Sequence, residues 1–323
     1  MPTVSVVLLN WNGAHLLPTC LDSLRAQTLQ DFEIIMPDNG STDGSQELVR
    51  ARYPEVAIIQ FSTNIGFCLA MNAGIRASRG EFVFSLNNDT ELDPRCLEEM
   101  VAVMRARPEV GICAPKMVYY DEPGLINSAG HACDSGGVVV DIGRGEPDSP
   151  WFWHPREVLG ACAGAALYRR RMLEEIGLFD PDFFISYEDA DMDWRAQWAG
   201  WRAWYVPTAL VRHREGVSRQ IRGPRSLFLA VRNIAYVWLK DWPWQSLARH
   251  LPMVLRGWRA RAVWLVESGY GRLLPAAIWS MVALTPRMLA RRRGIGRLRR
   301  VPVERFEHLI ALGRRHTRRP PED

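Results

Sequence analysis

The sequence has few cysteines and no paired cysteine motif. Its six cysteines are scattered between Cys20 and Cys162, and none of them belongs to a CxxC pair or a tight cluster. Structural zinc sites and disulfide frameworks need such clusters, so the pattern argues against both. We therefore expect a protein of a reducing compartment, with its thiols unpaired.

The sequence also lacks signals for secretion and for membrane spanning. The amino terminus enters a strand pattern at once, without the basic segment that opens a signal peptide. The longest apolar run, residues 273–284, is interrupted by Pro275 and stops at Pro286. A spanning helix takes about 20 apolar residues, so this run is too short. We expect a cytoplasmic chain.

Two common ligand-binding signatures are missing as well. No GxGxxG motif follows the first predicted strand, which argues against an ordinary dinucleotide-binding fold. No zinc finger, helix-turn-helix or RRM-like pattern accompanies the basic residues. We therefore expect no nucleic-acid partner.

The charges that are present are distributed unevenly. The net charge is only +4 in 323 residues, but residues 1–211 hold 16 basic and 29 acidic side chains, whereas residues 212–323 hold 24 basic and 7 acidic ones. An acidic body with a basic tail suggests that the tail meets a polyanion, either nucleic acid or an anionic membrane.

Strand-like and helix-like segments alternate four times at the start of the chain. Apolar runs at residues 3–9, 32–36, 56–61 and 82–86 are each followed by a polar turn and then by helical spacing of apolar residues. Short links of this kind imply parallel strands with right-handed crossovers. The predicted fold is α/β, with a Rossmann-like, mostly parallel sheet flanked by helices.

Polar residues follow the first, second and fourth of these strands. Because carboxyl ends of parallel strands share one edge, where open α/β sheets bind ligands, we expect a ligand cleft there. Each turn taken alone has an ordinary explanation as turn chemistry. The residues concerned are Asn10, Trp11, Asp38, Asn87, Asn88 and Asp89.

A second polar stretch, DPDFFISYEDADMDWR at residues 180–195, combines dense acid with aromatic rings. If a helix begins near Ser186, Glu188 and Asp189 lie in its first turn, where the helix dipole favours anions. Stabilisation of the helix end is one complete explanation for these two acids. Carboxylates among aromatic rings also suit a sugar-binding site with a general base.

Other segments are less informative. Residues 112–140 are interpreted as loops and short strands, residues 141–155 as an exposed loop over the cleft, and residues 204–207 as a last strand. The small residues at 159–168 allow close backbone approach to a ligand, but tight core packing explains them equally well. His213, beyond the last strand, could complete a metal site.

The order of the motifs VSVVLLNWNG, DNGSTDGS, NIGFCLAMNAG, LNNDTELDP and DPDFFISYEDADMDWR, followed by His213, resembles the inverting family 2 glycosyltransferases. The chain is especially similar to their bacterial rhamnosyltransferase-like branch. The resemblance covers about the first two-thirds of the chain. It implies the GT-A fold, a nucleotide diphosphate sugar donor and a glycan or lipid-linked acceptor.

The resemblance also implies roles for individual residues. Asp38 would contact the nucleotide, Asp89 and His213 would hold Mg²⁺ or Mn²⁺ on the diphosphate, and Asp189 would act as the base. Glu188 accompanies Asp189 in the catalytic pair, and the NIGFCLAMNAG motif adds Asn64, Gly66 and Asn72 to the donor site. This sequence departs from the family's DXD motif at Asn87, which brings no charge.

On this basis we expect a catalytic domain at residues 1–222, with a nucleotide-sugar half at 1–115 and an acceptor half at 116–222. Residues 223–323 form a helical, basic appendage that contains six of the 13 tryptophans. Arginine-flanked amphipathic helices with tryptophan suit peripheral attachment to an anionic membrane, here the inner face of the cell membrane. Ordinary packing on the catalytic domain is the other interpretation.

The expected function is therefore sugar transfer in surface polysaccharide synthesis. The alternative is a non-catalytic module that binds a nucleotide sugar or glycan, which loss of the first DXD acid would fit. The presence of Asp89, Asp189 and His213 argues against that alternative.

Overall fold

The structure is a computed structural model that describes residues 1–215 and 223–316. The expected domain boundary at residue 222 lies outside the described residues. The strands are β1 (Val4–Leu9), β2 (Phe32–Asp38), β3 (Val56–Gln60), β4 (Phe82–Asn87), β5 (Thr90–Leu92), β6 (Val110–Tyr119), β7 (Ile126–Ser128), β8 (His131–Cys133), β9 (Val139–Asp141), β10 (Arg156–Val158), β11 (Ala165–Arg169) and β12 (Arg202–His213).

The helices are α1 (Leu17–Arg25), α2 (Ser45–Arg52), α3 (Phe67–Ala77), α4 (Cys96–Ala106), α5 (Arg170–Ile176), α6 (Glu188–Trp198), α7 (Pro224–Asp241), α8 (Trp244–Arg249), α9 (Leu251–Glu267), α10 (Leu274–Leu298) and α11 (Val303–His316). Short 3₁₀ turns lie at Pro150–Trp153, Pro181–Phe183 and Gly271–Leu273.

One mixed sheet forms the centre, in the order β10-β12-β6-β11-β4-β1-β2-β3, with β5 added to β12 and β7 to β6. Strands β1 to β4 are mutually parallel, and apolar clusters cover both faces of the sheet. This confirms the predicted α/β fold with its mostly parallel sheet. The four predicted strand–helix units all appear, since their apolar runs bury two faces at once.

The second half of the sheet differs from its prediction. The segment interpreted as loops and short strands does contain the short strands β7, β8 and β9, but it also contains most of β6, a ten-residue strand that lies between β11 and β12. The expected division at residue 115 falls inside this strand. The predicted last strand, residues 204–207, extends to twelve residues, and His213 is its final residue rather than lying beyond it. Tertiary pairing on both sides stabilises β6 although Gly111 and Pro115 interrupt its strand pattern.

Residues 141–155 were expected to be an exposed loop, and this prediction is wrong in part. Phe152 is 2% exposed, and its carbonyl accepts a hydrogen bond from the hydroxyl of Tyr205 at 2.9 Å. Asp141 ends β9, and its carboxylate, 16% exposed, pairs with Arg144 at 2.8 Å. Aromatic burial therefore fixes this segment in place.

The carboxyl-terminal helices pack into the same core as the sheet. Phe306 of α11 stacks on Trp198 of α6, with ring centroids 5.5 Å apart and planes 8° apart. The indole N–H of Trp198 donates to the carbonyl of Asp241 in α7 at 2.8 Å. One hydrophobic cluster contains residues of the sheet, of α6, of α7 and of α11. The basic region is therefore continuous with the catalytic fold through these helices.

Helix α10 continues through Pro286 for twelve more residues to Leu298. The apolar run was expected to be too short to cross a membrane, but Gly271–Leu298 is long and apolar enough by length and composition, with 11% of its most apolar 18-residue window buried. Its inner face is tied to the protein: Arg291 pairs with Asp180 and Asp182, and Arg292 donates to the carbonyl of Leu239.

A buried ion network joins α6 to α7. Lys240 of α7 lies 2.6 Å from a carboxylate oxygen of Asp180 and also pairs with Asp191 of α6. Arg195 donates to the other oxygen of Asp191 at 2.8–2.9 Å. The side chains of Lys240 and Asp191 are 4% and 0% exposed. Burial of a charge is costly without a partner, so each ion here requires the others.

We predict that Lys240→Met destabilises the protein by about 3–5 kcal/mol, because it removes the buried cation that Asp180 and Asp191 share and leaves each of them with one arginine partner. The measurement is the free energy of unfolding in urea, followed by circular dichroism. Arg79→Met is the matched control: it also removes one cation from a carboxylate, but the Arg79 side chain is 76% exposed. We expect a much smaller change for it. Equal losses for both variants would contradict the assigned role of Lys240.

Candidate active site

The three polar turns predicted from the sequence meet at one edge of the sheet. The side-chain amide of Asn88 donates to Oδ1 of Asn10 at 2.7 Å, and the amide of Asn10 donates to Oδ2 of Asp38 at 2.8 Å. Gly13 allows this approach, because a Cβ there would lie 2.0 Å from the Asn88 amide. The carboxyl ends of β1, β2 and β4 thus form one continuous polar surface.

Two members of this surface differ sharply in exposure. Asp38 is fully buried, and its carboxylate also accepts from the Gln46 side chain at 2.6 Å and from the Ser41 backbone at 3.0 Å. Asp38 therefore influences the cleft indirectly, because its hydrogen bonds hold Asn10 and the turn at Ser41 in place. Trp11 is 38% exposed beside them and presents its ring to solvent.

The expected donor residues after β3 separate into two groups. Asn64 lies in an exposed turn, where its side-chain oxygen Oδ1 accepts hydrogen bonds from the Asn39 side-chain amide and the Gly66 backbone N–H. Gly66 has φ +89°, and a Cβ there would lie 2.6 Å from the ring of Phe184. Asn72 is 1% exposed, and both groups of its amide bond to the backbone of Phe179. Asn72 thus holds α3 to the chain after α5, so we leave it out of the donor site.

Asp89 and His213 lie together at the end of β4 and β12. Nε2 of His213 is 3.2 Å from Oδ1 of Asp89, and both residues are buried. The other ring nitrogen donates to Oδ1 of Asn127 at 3.0 Å, since the Asn127 amide itself donates to Glu215. This contact orients the ring and turns Nε2 towards Asp89. A carboxylate and an oriented imidazole fit a divalent cation.

Residues 160–164 run between this surface and α6. The backbone N–H of Asn87 donates to the carbonyl of Gly164 at 2.9 Å, and Oδ2 of Asp189 accepts from the backbone N–H of Ala163 at 3.3 Å. At Gly160 a Cβ would lie 1.7 Å from the carboxyl carbon of Asp193. Gly160 is therefore small because Asp193 packs against it, which is the packing explanation that the sequence left open.

Glu188 and Asp189 begin α6 and have different environments. Asp189 is partly exposed, with 19% of its side chain accessible, whereas Glu188 is 5% exposed. Burial, followed by the charge of Asp189, raises the pKa of Glu188 well above its usual value. Because Asp189 is accessible and Glu188 is buried, Asp189 is the better candidate for a base.

The structure adds a residue that the sequence did not indicate. His131 of β8 is buried, with Nδ1 2.7 Å from Oδ2 of Asp193 and Nε2 3.5 Å from Oδ1 of Asp141. Burial opposes its charged form, but these carboxylates hold the pKa of His131 well above its usual value. Burial raises the pKa of Asp193 to about 6, while hydrogen bonding and attraction to His131 outweigh burial and lower the pKa of Asp141 to about 2.

His131, Cys162 and Asp189 also offer ligand-type atoms within 4.8 Å of one another. Burial raises the pKa of the Cys162 thiol to about 11, and neighbouring carboxylates raise the pKa of His131 well above its usual value. A metal at this cluster would have to displace the protons of both groups.

The loop before α6 is strained and held by α7. Phe184, Ser186 and Tyr187 have φ of 65°, 71° and 65°, which non-glycine residues adopt at a cost of about 1–3 kcal/mol each. The amide of the fully buried Asn233 donates to the carbonyls of Phe183, Ile185 and Ser186 at 2.7–3.0 Å. Helix α7 thus stabilises the conformation that delivers Asp189 to the cleft.

Relatives of this chain include a rhamnosyltransferase and an O-antigen biosynthesis protein. The N-acetylglucosaminyl-diphospho-decaprenol L-rhamnosyltransferase of Mycobacterium tuberculosis (strain H37Rv) is 28% identical over 260 residues, covering 73% of this chain and 83% of the relative. The O-antigen biosynthesis protein RfbC of Myxococcus xanthus is 26% identical over 234 residues, covering 68% of this chain and 18% of the relative.

Solved structures show the same fold. GalNAc-T7, crystallised with UDP, GalNAc and Mn²⁺, superposes with a TM-score of 0.58 at 16% identity, over 84% of this chain and 58% of that one. TarS of S. aureus superposes with a TM-score of 0.53 at 18% identity, over 80% and 43%. The profile of Glycosyl transferase family 2 matches residues 5–177, more than half of the chain. The chain therefore belongs to family 2 of the glycosyltransferases and is a glycosyltransferase with the GT-A fold.

Proposed function

We propose that this enzyme transfers a sugar, with rhamnose the first candidate, from a nucleotide diphosphate sugar to a lipid-linked glycan, with inversion at the anomeric carbon. The observation that carries the proposal is the loop 160–164. It holds the Asn87–Asp89 turn on one side and Asp189 on the other. A donor diphosphate bound at the Asn87–Asp89 turn and an acceptor hydroxyl bound at Asp189 would meet across this loop.

On the donor side, Asn10, Trp11, Asn64 and Asn88 would line the nucleotide-sugar site, with Asp38 and Gly66 shaping it. Asp89 and His213 would hold Mg²⁺ or Mn²⁺, which supplies positive charge to the departing diphosphate when bound. The buried pair, 3.2 Å apart with an oriented imidazole, supports this assignment. The Mn²⁺ that accompanies UDP in the GalNAc-T7 crystal structure is consistent with it.

On the acceptor side, Asp189 would take the proton of the acceptor hydroxyl as that oxygen attacks the anomeric carbon. The bond from this carbon to the diphosphate oxygen breaks, and the diphosphate keeps the electron pair. Neighbouring carboxyl groups have other partners, since Asp193 binds His131 and Asp141 pairs with Arg144. A single base without a covalent intermediate gives inversion.

The exposed part of the carboxyl-terminal helices supports a membrane-bound acceptor. Large apolar side chains of α9 and α10 are open to solvent, at 58% for Leu255, 51% for Trp264, 72% for Trp279 and 62% for Val282. Leu265, which the sequence also suggested for this face, is instead fully buried. We propose that this apolar face docks peripherally on the anionic inner surface of the cell membrane. The decaprenol in the name of the mycobacterial relative agrees with this arrangement.

Asp189→Asn tests the proposed base. We expect transfer to fall about 10²–10⁴-fold, because the amide cannot accept the hydroxyl proton, while nucleotide-sugar binding stays nearly unchanged. Turnover and calorimetric donor binding are measured on folded protein, with exposed Asp121→Asn as the matched control. Near wild-type turnover of Asp189→Asn would remove the base from the proposal.

Asp89→Ala and His213→Ala test the metal site. We expect each to lower Mn²⁺-dependent binding of the nucleotide sugar by at least about 10–100-fold, the loss typical even for residues that only orient a ligand. Isothermal titration with and without EDTA measures it, and Asp121→Ala serves as the control. If wild-type binding is indifferent to EDTA, the two residues hold no metal.

Trp279→Ser combined with Val282→Ser tests the membrane face in the full-length protein. Flotation with anionic vesicles should persist for wild type in high salt, because burial of apolar side chains is not screened, whereas the variant should detach. Trp153→Ser removes an equally bulky ring, 57% exposed on another surface, and should float normally. Equal flotation of all three proteins would show that this face does not meet lipid.

A further inference from the structure

We propose that Arg261 of α9 binds the phosphate group of the lipid-linked acceptor and so places the acceptor's sugar at Asp189. This inference rests on the proposed function, because it takes Asp189 as the general base and α9 and α10 as the membrane-facing helices. Arg261 belongs neither to the sequence motifs nor to the donor edge. Its place on the inward side of an exposed helix assigns the role.

Helix α9 has two faces of different character. Its inward row follows the helical repeat and consists of positions 254, 257, 258, 261 and 265. Val254 and Leu265 of this row are buried against the rest of the protein, whereas Leu255 and Val266 on the opposite side are exposed. Arg261 is therefore the charged member of an otherwise apolar row that faces the catalytic fold.

The contacts of the Arg261 guanidinium leave it able to bind an anion. Nη1 donates to the carbonyl of Gly257 at 3.3 Å, and Nη2 lies 3.8 Å from Oδ2 of Asp134, which is beyond hydrogen-bond distance. Asp134 is engaged by its own turn instead, since its Oδ1 accepts from the backbone of Gly136 and Val138 at 2.7 and 2.9 Å. With 27% of its side chain accessible, Arg261 can present its planar fork to two phosphate oxygens.

A second hydrogen-bond donor lies on the same row. The indole N–H of Trp258, one turn before Arg261, is buried and has no hydrogen-bond partner among residues 1–215 and 223–316. Buried donors are nearly always paired, so this one requires an explanation. Because residues three apart on a helix are neighbours, an anion bound by Arg261 would lie beside Trp258 and could accept from it.

The phenol of Tyr187 connects Arg261 with the proposed base. Burial raises the pKa of Tyr187, the charge of Arg261 lowers it, and the charges of Asp134 and Asp189 raise it. The hydroxyl is thus within electrostatic range of both Arg261 and Asp189. Tyr187 also precedes Asp189 by two residues, so their Cα atoms are at most about 7 Å apart. A sugar lying over Tyr187 would have its phosphate at Arg261 and its hydroxyl at Asp189.

The depth of Arg261 also fits a lipid phosphate. An interfacial helix buries its apolar face about 5–10 Å into the boundary between headgroups and acyl chains. A helix with its side chains is about 10–12 Å across. With Leu255 and Val266 in that boundary, the inward row of α9 lies at or just above the level of the phosphates. A lipid-linked acceptor would therefore present its phosphate to Arg261 and its sugar to the cleft.

Arg261→Gln in the full-length protein tests the inference by binding alone. The probe is farnesyl diphosphate, which joins a diphosphate to an apolar chain, and its binding is measured by calorimetry in detergent with EDTA. The EDTA removes the metal that the proposed donor site requires. We expect the variant to bind about 10–100-fold more weakly, because charge-assisted hydrogen bonds to phosphate are lost. Farnesol, which lacks the phosphate, should bind both proteins equally.

Asp134→Asn separates a phosphate site from a simple tether between α9 and the catalytic fold. Asparagine keeps the oxygen that its own turn requires but removes the negative charge beside Arg261. A phosphate site should bind the probe at least as tightly in this variant, since a competing carboxylate is gone. Arg291→Gln is the matched control, because Arg291 is 34% exposed and ties α10 to two carboxylates. It should lower stability without changing the affinity for the probe.

Several outcomes would overturn the inference. Absence of binding by the wild type would do so without any variant, as would unchanged binding in Arg261→Gln. An equal loss in Asp134→Asn would show that Arg261 is only a tether. Loss of binding in Asp89→Ala would place the probe in the donor site. Equally effective displacement of the probe by dihexanoyl phosphatidylglycerol would show a site for bulk lipid rather than for an acceptor.

Failure of this inference can be told from failure of the proposed function, because the probe is bound without turnover. If Asp189→Asn is inactive but Arg261→Gln binds the probe like the wild type, only the inference fails. If Asp189→Asn remains active while Arg261→Gln loses the probe, the base assignment fails and the phosphate site stands.

Discussion

The structure depends on how the acidic helix α6 is neutralised inside the protein. Glu188, Asp191 and Asp193 are all at most 5% exposed, and a buried carboxylate is tolerated only when it is paired or protonated. The three buried carboxylates of this helix are stabilised in three different ways. Asp191 is paired with Arg195 and Lys240, Asp193 is paired with His131, and burial raises the pKa of Glu188 well above its usual value. The base candidate, Asp189, is the one left with access to the cleft.

This constraint explains why the carboxyl-terminal helices are part of the enzyme. Lys240 comes from α7, as does Asn233, which holds the strained loop before α6. The acceptor side of the cleft would therefore be incomplete without α7. The same helical layer exposes the apolar face of α9 and α10, so docking on lipid would place a rigid cleft at a set height above the surface. A lipid-linked acceptor confined to that surface suits such an arrangement.

The sequence predicted one side of the cleft more fully than the other. The donor edge follows from alternating strands and helices, because parallel strands necessarily bring their carboxyl ends together. Asn10, Asp38 and Asn88 accordingly lie within hydrogen-bond distance. The acceptor side was predicted only through Glu188 and Asp189. His131 and Asp141 come from segments interpreted as loops, since short strands stabilised by distant partners leave little periodicity.

The sequence by itself determined the fold class, the family and the polar edge of the sheet, because these depend on local apolar periodicity and on the order of motifs along the chain. Only the tertiary structure decided which carboxylate of α6 stays accessible and which helices expose apolar side chains. Those properties depend on burial and on charges brought together from distant positions, as with Lys240 and Asp180 or His131 and Asp193. Asn72 shows the same limit, since a polar residue inside a motif proved to bond only to buried backbone.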